Sequence, residues 1–191
     1  MTSEEMSEKK ATHKQEKLRL ATIWLDGCSG CHMSFLDIDE RLIELSELVE
    51  MVFSPLVDVK VFPEDVDITL VEGALGTEED LHKLKKVRAR TKTLVAFGDC
   101  AITANIPSMR NPFGVEETLK AVYLDKEALN LQIPVESVPP LLPRALPLHN
   151  CVKVDVFIPG CPPSADTIFF ALSELIAGRT PNLMDKTRFG A

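Results

Sequence analysis

The sequence predicts an α/β protein, a doubly wound domain of three layers with a parallel sheet in the middle. Two observations support this prediction. Short, almost continuous apolar runs are typical of strands covered on both faces, and helix-patterned segments follow most of these runs. With 191 residues, 45% of them hydrophobic, the chain is long enough to bury one full core. We therefore expect a single domain over residues 17–191.

Residues 1–16 are expected to lie outside that domain as a disordered or loosely docked arm, because they carry many charges and almost nothing to bury. The segment has neither the apolar core of an export signal nor a twin-arginine pair, and the chain holds no run of roughly 18 apolar residues that could span a membrane. The net charge of −8 argues against nucleic acid or an anionic membrane surface as a partner. We therefore predict a cytoplasmic chain with no membrane span and no nucleic-acid partner.

The first unit is a strand over Leu18–Leu25, followed by a loop that contains cysteine and then by a helix. That helix is predicted to begin near Ser34, because Ser34 and Asp37 have the spacing of a capping box. A short strand near Glu50–Ser54 is expected next. The apolar side of the helix would consist of residues at helical spacing, namely Ile38, Leu42, Leu45, Val49 and Val52.

The second unit begins with a strand over Val66–Gly73, although the connection of about ten residues before it is short for a parallel crossover. Thr77 and Asp80 form another capping box, which predicts a helix whose apolar side is Leu81, Leu84 and Val87. The carboxyl half of this helix is basic, and we interpret it as a solvated face that complements the helix dipole rather than as a nucleotide site. Its basic residues are Lys83, Lys85, Lys86, Arg88 and Arg90.

The third unit contains the clearest buried strand, Thr93–Phe97, and a short helix that is expected to end by Pro107. A turn-rich stretch over Ser108–Gly114 and a helix over Glu116–Leu124 follow. Between residues 131 and 148, five prolines alternate with apolar residues, so no regular element is expected there. Those apolar residues either pack against this domain or form a contact surface for another chain, and the sequence favours neither alternative.

The last unit is a strand over Val152–Ile158 and a helix over Ser164–Ala177. Gly178 is expected to end that helix in a left-handed conformation, and Pro181 follows it. The inner face of the helix would be Ile168, Leu172, Leu175 and Ile176.

Four cysteines, Cys28, Cys31, Cys100 and Cys161, come just after strand-like runs and close to glycines that permit tight turns. Because the carboxyl ends of parallel strands meet at one edge of a sheet, we expect the four sulfurs to converge there. Four soft thiolates suit an iron–sulfur cluster, and a proline directly after the last ligand also occurs in cluster-binding sequences. In a reducing compartment, five cysteines indicate metal ligands or catalytic thiols before disulfides.

Other interpretations of these cysteines remain open. Structural zinc usually takes two close pairs, whereas here one CxxC pair joins two single cysteines separated by 68 and 60 intervening residues. A redox pair of Cys28 and Cys31 would leave Cys100 and Cys161 without a role. Buried structural thiols explain one cysteine more easily than four. That last interpretation suits Cys151, which precedes its strand and has no glycine neighbour.

The segments WLDGCSGCHMSFLDIDE, LVEGAL, FGDCA and FIPGCPPSAD resemble motifs of the electron-transferring small subunit of nickel–iron hydrogenases. The resemblance covers about residues 18–178 and is greatest to the small subunits of cytoplasmic NAD-reducing enzymes, which are HoxY-like. Membrane-bound and periplasmic relatives carry an export signal and a carboxyl-terminal extension with further ligands, and this chain is expected to have neither. The related subunit of respiratory complex I has adjacent cysteines in place of the CxxC pair, so Cys28 and Cys31 favour a hydrogenase.

The resemblance implies a flavodoxin-like domain in which Cys28, Cys31, Cys100 and Cys161 bind one proximal [4Fe-4S] cluster, with no catalytic residue in this chain. It also implies a hetero-oligomer with a large subunit that carries the nickel–iron centre and with diaphorase subunits that carry FMN and NAD. Relatives linked to F420 or NADP share the cluster motif, so these acceptors remain alternatives, as does a zinc-stapled scaffold domain. A second FMN near this subunit is neither indicated nor excluded. Backbone N–H groups over Gly27–Gly30 are expected to tune the cluster.

Five residues near the cysteines have competing interpretations. Glu72 ends its strand at the same edge, so it would either lie at the large-subunit interface, holding a basic partner or relaying protons, or be an ordinary solvated carboxylate. His32 is expected to bond backbone or water rather than a cluster sulfur. Asp26 and Asp99 are predicted to stabilise turns, and Trp24 to be a core residue rather than an electron bridge.

Overall fold

The computed structural model describes residues 17–125 and 131–187, so the arm predicted over residues 1–16 lies outside the described residues. In chain order the elements are β1 (Leu18–Trp24), α1 (Gly30–Leu36), α2 (Arg41–Leu48), β2 (Val49–Phe53), β3 (Val66–Glu72), β4 (Leu75–Thr77), α3 (Glu78–Ala89), β5 (Thr91–Phe97), α4 (Asp99–Thr103), a 3₁₀ helix (Ile106–Arg110), α5 (Gly114–Tyr123), β6 (Leu141–Leu146), a second 3₁₀ helix (Leu148–Asn150), β7 (Val156–Ile158) and α6 (Ala165–Ile176). None of the described helices is long and apolar enough to cross a bilayer.

Five of the strands form one parallel sheet with the order β2-β1-β3-β5-β7, which confirms the predicted α/β class and doubly wound parallel sheet. Successive residues of a strand face opposite sides of the sheet. Leu20 belongs to a core cluster with residues of α1, α2 and α6, whereas its neighbour Ala21 belongs to a second cluster with residues of α3 and α4. The sheet is therefore the middle of three layers.

The first helix differs from its prediction. It begins at Gly30 rather than near Ser34, after Ser29 has adopted a left-handed conformation with φ of 67°. The Ser34 hydroxyl donates to the Pro163 carbonyl at 2.5 Å, so it does not cap a helix. The spacing of Ser34 and Asp37 therefore did not mark the start of the helix, because the Ser34 hydroxyl bonds the distant Pro163 carbonyl instead of capping the helix. A break at residues 37–40 then separates α1 from α2, and Val49 already lies in β2.

The connection between β2 and β3 has no helix, which explains how it can be short. It passes from one neighbour of β1 to the other, and it is held by packing and by side-chain bonds. Phe62 is 5% exposed and contacts Phe53 edge to face, with ring centroids 5.3 Å apart. Arg90 donates to the Phe62 carbonyl at 2.6 Å. A buried aromatic ring thus takes the place of a crossover helix.

The capping box at α3 is confirmed, since Thr77 accepts from the Asp80 N–H while the Asp80 carboxylate accepts from the Thr77 N–H. Its predicted apolar side also packs inward, with Leu84 and Val87 buried. The basic end of α3 is used in ion pairs. Arg88 contacts Asp155 at 2.5 Å, and Arg90 contacts Glu64 at 2.7 Å.

The prediction that no regular element forms over residues 131–148 was wrong. Strand β6 lies there and pairs antiparallel with β4 as a separate two-stranded sheet. Pro143 is tolerated because β6 is an edge strand, where a missing N–H need not break a ladder. Leu148 is fully buried in the second core cluster, whereas Val135 is 81% exposed. The stretch therefore packs against the domain at its end, near Leu148, but not near its beginning, at Val135.

The last unit largely follows its prediction. Strand β7 is shorter than expected, because it begins at Val156 instead of residue 152. Helix α6 has Ser164 as its N-cap, which accepts from the Thr167 N–H at 3.2 Å. Its inner face includes the fully buried Ile168 and Leu172.

Candidate metal centre

The four candidate ligands lie at the carboxyl ends of three strands of the parallel sheet. Cys28 is in the loop after β1, and Cys31 is in the first turn of α1. Cys100 is in the first turn of α4, directly after β5, and Cys161 is in the loop after β7. Because all five strands run in the same direction, these three strand ends share one edge of the sheet.

Two of the four candidate thiols have raised pKa values. Burial raises the pKa of the Cys31 thiol, and Glu72 and the other three cysteines raise it further. Burial likewise raises the pKa of Cys100, with contributions from Cys161 and Cys28. Neighbouring thiols oppose the ionisation of Cys31 and Cys100, so a cationic centre would favour the thiolate form of both.

The ligand set spans the boundary between core and surface. Cys31 is 7% exposed and belongs to a core cluster, and Cys100 is half-buried, whereas Cys28 and Cys161 are exposed. Gly98, which joins β5 to α4, has φ of +84° and faces Cys31 so closely that a Cβ there would collide with the Cys31 sulfur. A glycine is required at this position to make room for the deepest thiol.

Backbone and carboxylate bonds tie the ligand loops together. Asp99 accepts from the Gly160 N–H at 2.8 Å through its side chain, and its own N–H donates to the Gly160 carbonyl at 2.9 Å. On the other side, Asp26 forms an antiparallel bridge with Ala74 at the end of β3. The Asp99 side chain therefore stabilises a turn, as predicted, whereas Asp26 joins its loop to the end of β3 through backbone bonds. Burial raises the pKa of Asp26, Asp80 raises it further, and Arg110 opposes the shift.

Glu72 is not an ordinary solvated carboxylate, which corrects that expectation, while its place at the large-subunit interface stays a prediction. It is 2% exposed, and it accepts hydrogen bonds from the Trp24 Nε1–H at 3.0 Å, from the N–H groups of Cys31 and His32 at 3.2 and 3.0 Å, and from His32 Nδ1. Burial alone would raise the pKa of Glu72, but His32 and the backbone donors hold it below the ordinary glutamate value. A role in proton transfer stays a prediction.

The expectation that His32 bonds backbone or water was also wrong. Its ring is fully buried, Nδ1 pairs with Glu72, and Nε2 has no hydrogen-bond partner among the described residues. The ring contacts Trp24 and Phe97 edge to face, at centroid distances of 5.1 and 6.1 Å. Trp24 and His32 are parts of a buried network that fixes the first turn of α1.

Two further contacts to the candidate ligands were missed from the sequence. Asn105 Nδ2 donates to the Cys161 sulfur at 3.5 Å, and the Ile106 backbone N–H lowers the pKa of the Cys100 thiol against the larger effect of burial. No local pattern marks these residues, because they lie in the turn between α4 and the first 3₁₀ helix. Cys151 is half-buried against the second core cluster, five residues before β7 begins, so it lies apart from the strand ends that carry the other four.

The donor chemistry fits an iron–sulfur cluster. Four thiols lie at one edge of the sheet, and a Cys₄ set is what such clusters use. A single zinc ion would need all four sulfurs about 2.3 Å from one point. In the described part of the chain, no group of three or more His, Cys, Asp or Glu side chains is arranged to hold one metal ion.

Comparisons with known proteins agree on one family. The model of the family "NADH ubiquinone oxidoreductase, 20 Kd subunit" matches residues 28–175. The chain is 38% identical over 174 residues to the delta subunit of the NAD-reducing hydrogenase HoxS of Cupriavidus necator, covering 88% of this chain and 83% of that subunit. It is 39% identical over 171 residues to a subunit of the F420-non-reducing hydrogenase vhu of Methanocaldococcus jannaschii, covering 88% of this chain and 59% of that subunit.

A solved structure is similar over almost its whole length. A chain in the crystal structure of an NAD⁺-reducing [NiFe]-hydrogenase in the H2-reduced state superposes with a TM-score of 0.87 at 40% sequence identity. The match covers 91% of the present chain and 99% of that chain.

Proposed function

Since the chain belongs to the family of the NADH ubiquinone oxidoreductase 20 Kd subunit and is a hydrogenase subunit, we propose that it is the electron-relay small subunit of an NAD-reducing [NiFe] hydrogenase. Electrons from H2 oxidation on a large partner subunit would pass through this chain to a diaphorase module. Cys28, Cys31, Cys100 and Cys161 would hold one [4Fe-4S] cluster, which supplies a one-electron store when bound.

The observation that supports this proposal most strongly is the position of the four cysteines at the carboxyl ends of β1, β5 and β7, which share one edge of the parallel sheet. Thiolates are soft ligands that select zinc, copper(I) and iron–sulfur clusters. The partly exposed position of the set suits electron transfer, because a relay must bring its redox group close to the surface that a partner covers. Cys28 and Cys161 are the exposed members of the set.

Hydrogen bonds within the chain position the ligand loops independently of any bound metal. Asp99 and the backbone of Gly160 hold the Cys100 and Cys161 loops at a fixed separation. Glu72 accepts from the Cys31 and His32 N–H groups, which fixes the first turn of α1 and with it the Cys31 thiol. Such second contacts orient metal ligands and lower the cost of assembling the site.

The chemical step belongs on another subunit. If one cluster takes four of the five cysteines, only Cys151 remains, and a nickel centre needs several soft ligands. We therefore place the nickel–iron centre on a large subunit, in a cytoplasmic hetero-oligomer that also contains the diaphorase subunits with FMN and NAD. The two relatives described above carry the words "NAD-reducing" and "F420-non-reducing" in their names. The relatives also include the gamma subunit of a coenzyme F420 hydrogenase, so an F420-linked acceptor is the second candidate.

Metal analysis of anaerobically purified protein tests the proposal. We expect a brown, oxygen-sensitive protein with about four iron and four sulfide per chain. Replacing Cys28, Cys31, Cys100 or Cys161 by serine should each lower the iron content and change the EPR signal of the reduced protein. Cys151→Ser is the matched control and should leave both unchanged.

Two results would contradict the proposal. A colourless protein with one zinc per chain would indicate a scaffold domain, and full thiol oxidoreductase activity after Cys100→Ser would indicate a redox pair of Cys28 and Cys31. Co-purification from the native source tests the partner assignment, and we expect a nickel-containing large subunit in equal amount. An NAD-linked rather than F420-linked H2 oxidation by that complex would identify the acceptor.

A further inference from the structure

The turn over residues 104–106, between α4 and the first 3₁₀ helix, directs one side-chain N–H donor at one of the four sulfurs. The Asn105 carboxamide donates from Nδ2 to the Cys161 sulfur at 3.5 Å. Asn105 follows β5 and Cys100 in the chain but bonds a ligand that comes after β7.

This turn is held in a conformation that its residues would not adopt alone. Ala104 has φ of 60°, in the left-handed region that a residue with a Cβ rarely adopts. Ser108 holds the turn from the other side, because its hydroxyl donates to the Asn105 carbonyl at 2.7 Å and its N–H donates to the Ala104 carbonyl at 2.9 Å. The backbone is thus fixed, and the Asn105 side chain extends from it to the sulfur.

Resting on the cluster-binding function proposed above, we propose that Asn105 is a positioning residue that raises the reduction potential of the cluster by its N–H···S bond to Cys161. A cluster gains one negative charge when it is reduced, and part of that charge resides on the ligand sulfurs. A hydrogen-bond donor to such a sulfur stabilises the reduced form more than the oxidised form. The amide of asparagine does so without adding a charge, which keeps its effect the same at any pH.

The test is a redox titration of the cluster, followed by EPR, in the anaerobically purified hydrogenase complex. Asn105→Ala removes the donor, and Asn105→Asp keeps the shape of the side chain but offers an acceptor instead. Both variants should have a more negative midpoint potential. At the wild-type midpoint, the ratio of reduced to oxidised cluster should fall about threefold to tenfold in Asn105→Ala, as expected for the loss of one hydrogen bond.

A matched control comes from the same segment. The Thr103 hydroxyl donates to the Asp99 carbonyl and accepts from the Asn105 N–H, and neither of these bonds reaches a sulfur. Thr103→Val should therefore leave the midpoint potential unchanged. Potentials equal to wild type in both Asn105 variants, with normal iron content, would overturn the inference. Absence of any cluster from the wild-type protein would instead contradict the proposed function.

A second measurement needs no substitution and so does not depend on how well a variant folds. In wild-type protein labelled with ¹⁵N in asparagine side chains, pulsed EPR of the reduced cluster should detect a coupled amide nitrogen. Transfer into deuterated buffer should replace the proton coupling of the same amide by a deuterium coupling. A spectrum without asparagine coupling would overturn the inference even if Asn105 variants lost their cluster.

Discussion

Replacing Glu72 by glutamine should destabilise the chain far more than the loss of one charge on the surface would. The Glu72 carboxylate is 2% exposed and accepts four hydrogen bonds, from Trp24, from the Cys31 N–H and from two donors of His32. Glutamine keeps the shape of the side chain and one acceptor oxygen. Its NH₂ group, however, is a donor, and it would face N–H groups that now donate to a carboxylate oxygen.

The magnitude follows from that arrangement. Three donors meet Oε2, and the Cys31 N–H meets Oε1 at 3.2 Å. If the amide oxygen takes the Oε2 position, the Cys31 N–H loses its acceptor, and a buried donor without a partner costs about 1–3 kcal/mol. The remaining bonds lose the strength that a charged acceptor adds. We expect the free energy of unfolding to fall by about 3 kcal/mol, or roughly 100-fold in the folding equilibrium.

Urea unfolding measures this difference, and Trp24 is a convenient probe because it is the only tryptophan and donates directly to Glu72. Glu64→Gln is the matched control, since Glu64 pairs with Arg90 at 2.7 Å but its side chain is 66% exposed. The control should lose at most about 1 kcal/mol. Variants should be compared at equal iron content. Stabilities of the two variants within about 0.5 kcal/mol of each other would refute the reasoning.

The same variant tests the predicted proton role of Glu72. Because glutamine cannot accept and release a proton at neutral pH, H2 turnover by the complex should fall if Glu72 relays protons. Unchanged turnover, in protein that is folded and loaded with its cluster, would remove that role and leave Glu72 as the residue that fixes the Cys31 turn.

Three further predictions concern the ligand loops and the core. Gly98→Ala should reduce bound iron severely, because its Cβ would collide with the Cys31 sulfur. Asp155→Asn should cost about 1–2 kcal/mol at pH 7: burial opposes ionisation, but the Leu94 N–H, Arg88 and Lys153 hold the pKa of Asp155 below the ordinary value. That contribution is present above the unfolded pKa of about 3.9 and is lost as the pH falls through the lower folded pKa, so variant and wild type should converge in acid. Leu148→Ala should cost about 2–5 kcal/mol, measured by denaturant unfolding, because Leu148 is fully buried.

Each of these predictions has a control in the same chain. Gly114 has φ of +79° but open space around it, so Gly114→Ala should strain the backbone without affecting iron binding. If both glycine variants lost iron equally, backbone strain and not the collision would be the cause. Leu131 is 55% exposed, and Leu131→Ala should change stability by less than about 0.5 kcal/mol. An Asp155→Asn deficit that persisted at pH 2 would contradict the assigned ion pairs.

The sheet could be predicted because its signal is local. Strands buried on both faces need apolar residues at successive positions, and β1, β3 and β5 have them. The four cysteines could be placed at one edge for the same reason, since each follows a strand. The two pieces least supported by local signal, β4 and β6, were missed. They pair with each other across more than 60 residues, and β6 contains a proline.

The surroundings of the ligands could not be predicted, because tertiary contacts decide them. A glutamate at the end of a strand is usually solvated, and only the approach of α1 turns Glu72 into a buried acceptor. Ser34 has the spacing of a cap, but the distant Pro163 carbonyl takes its hydroxyl. Asn105 carries no motif, and its contact with Cys161 spans 56 residues. In each case the partner is remote in the chain, where pattern and propensity carry no information.

The position of β7 has a consequence for how the protein matures. It is an edge strand, only three residues long, and it follows the rest of the sheet in the chain. On a ribosome, β1, β3 and β5 therefore emerge and can pair while Cys161 is still unmade. A nascent chain at that stage would present three thiols with no fourth, so we expect cofactor delivery to act only after Cys161 has been synthesised.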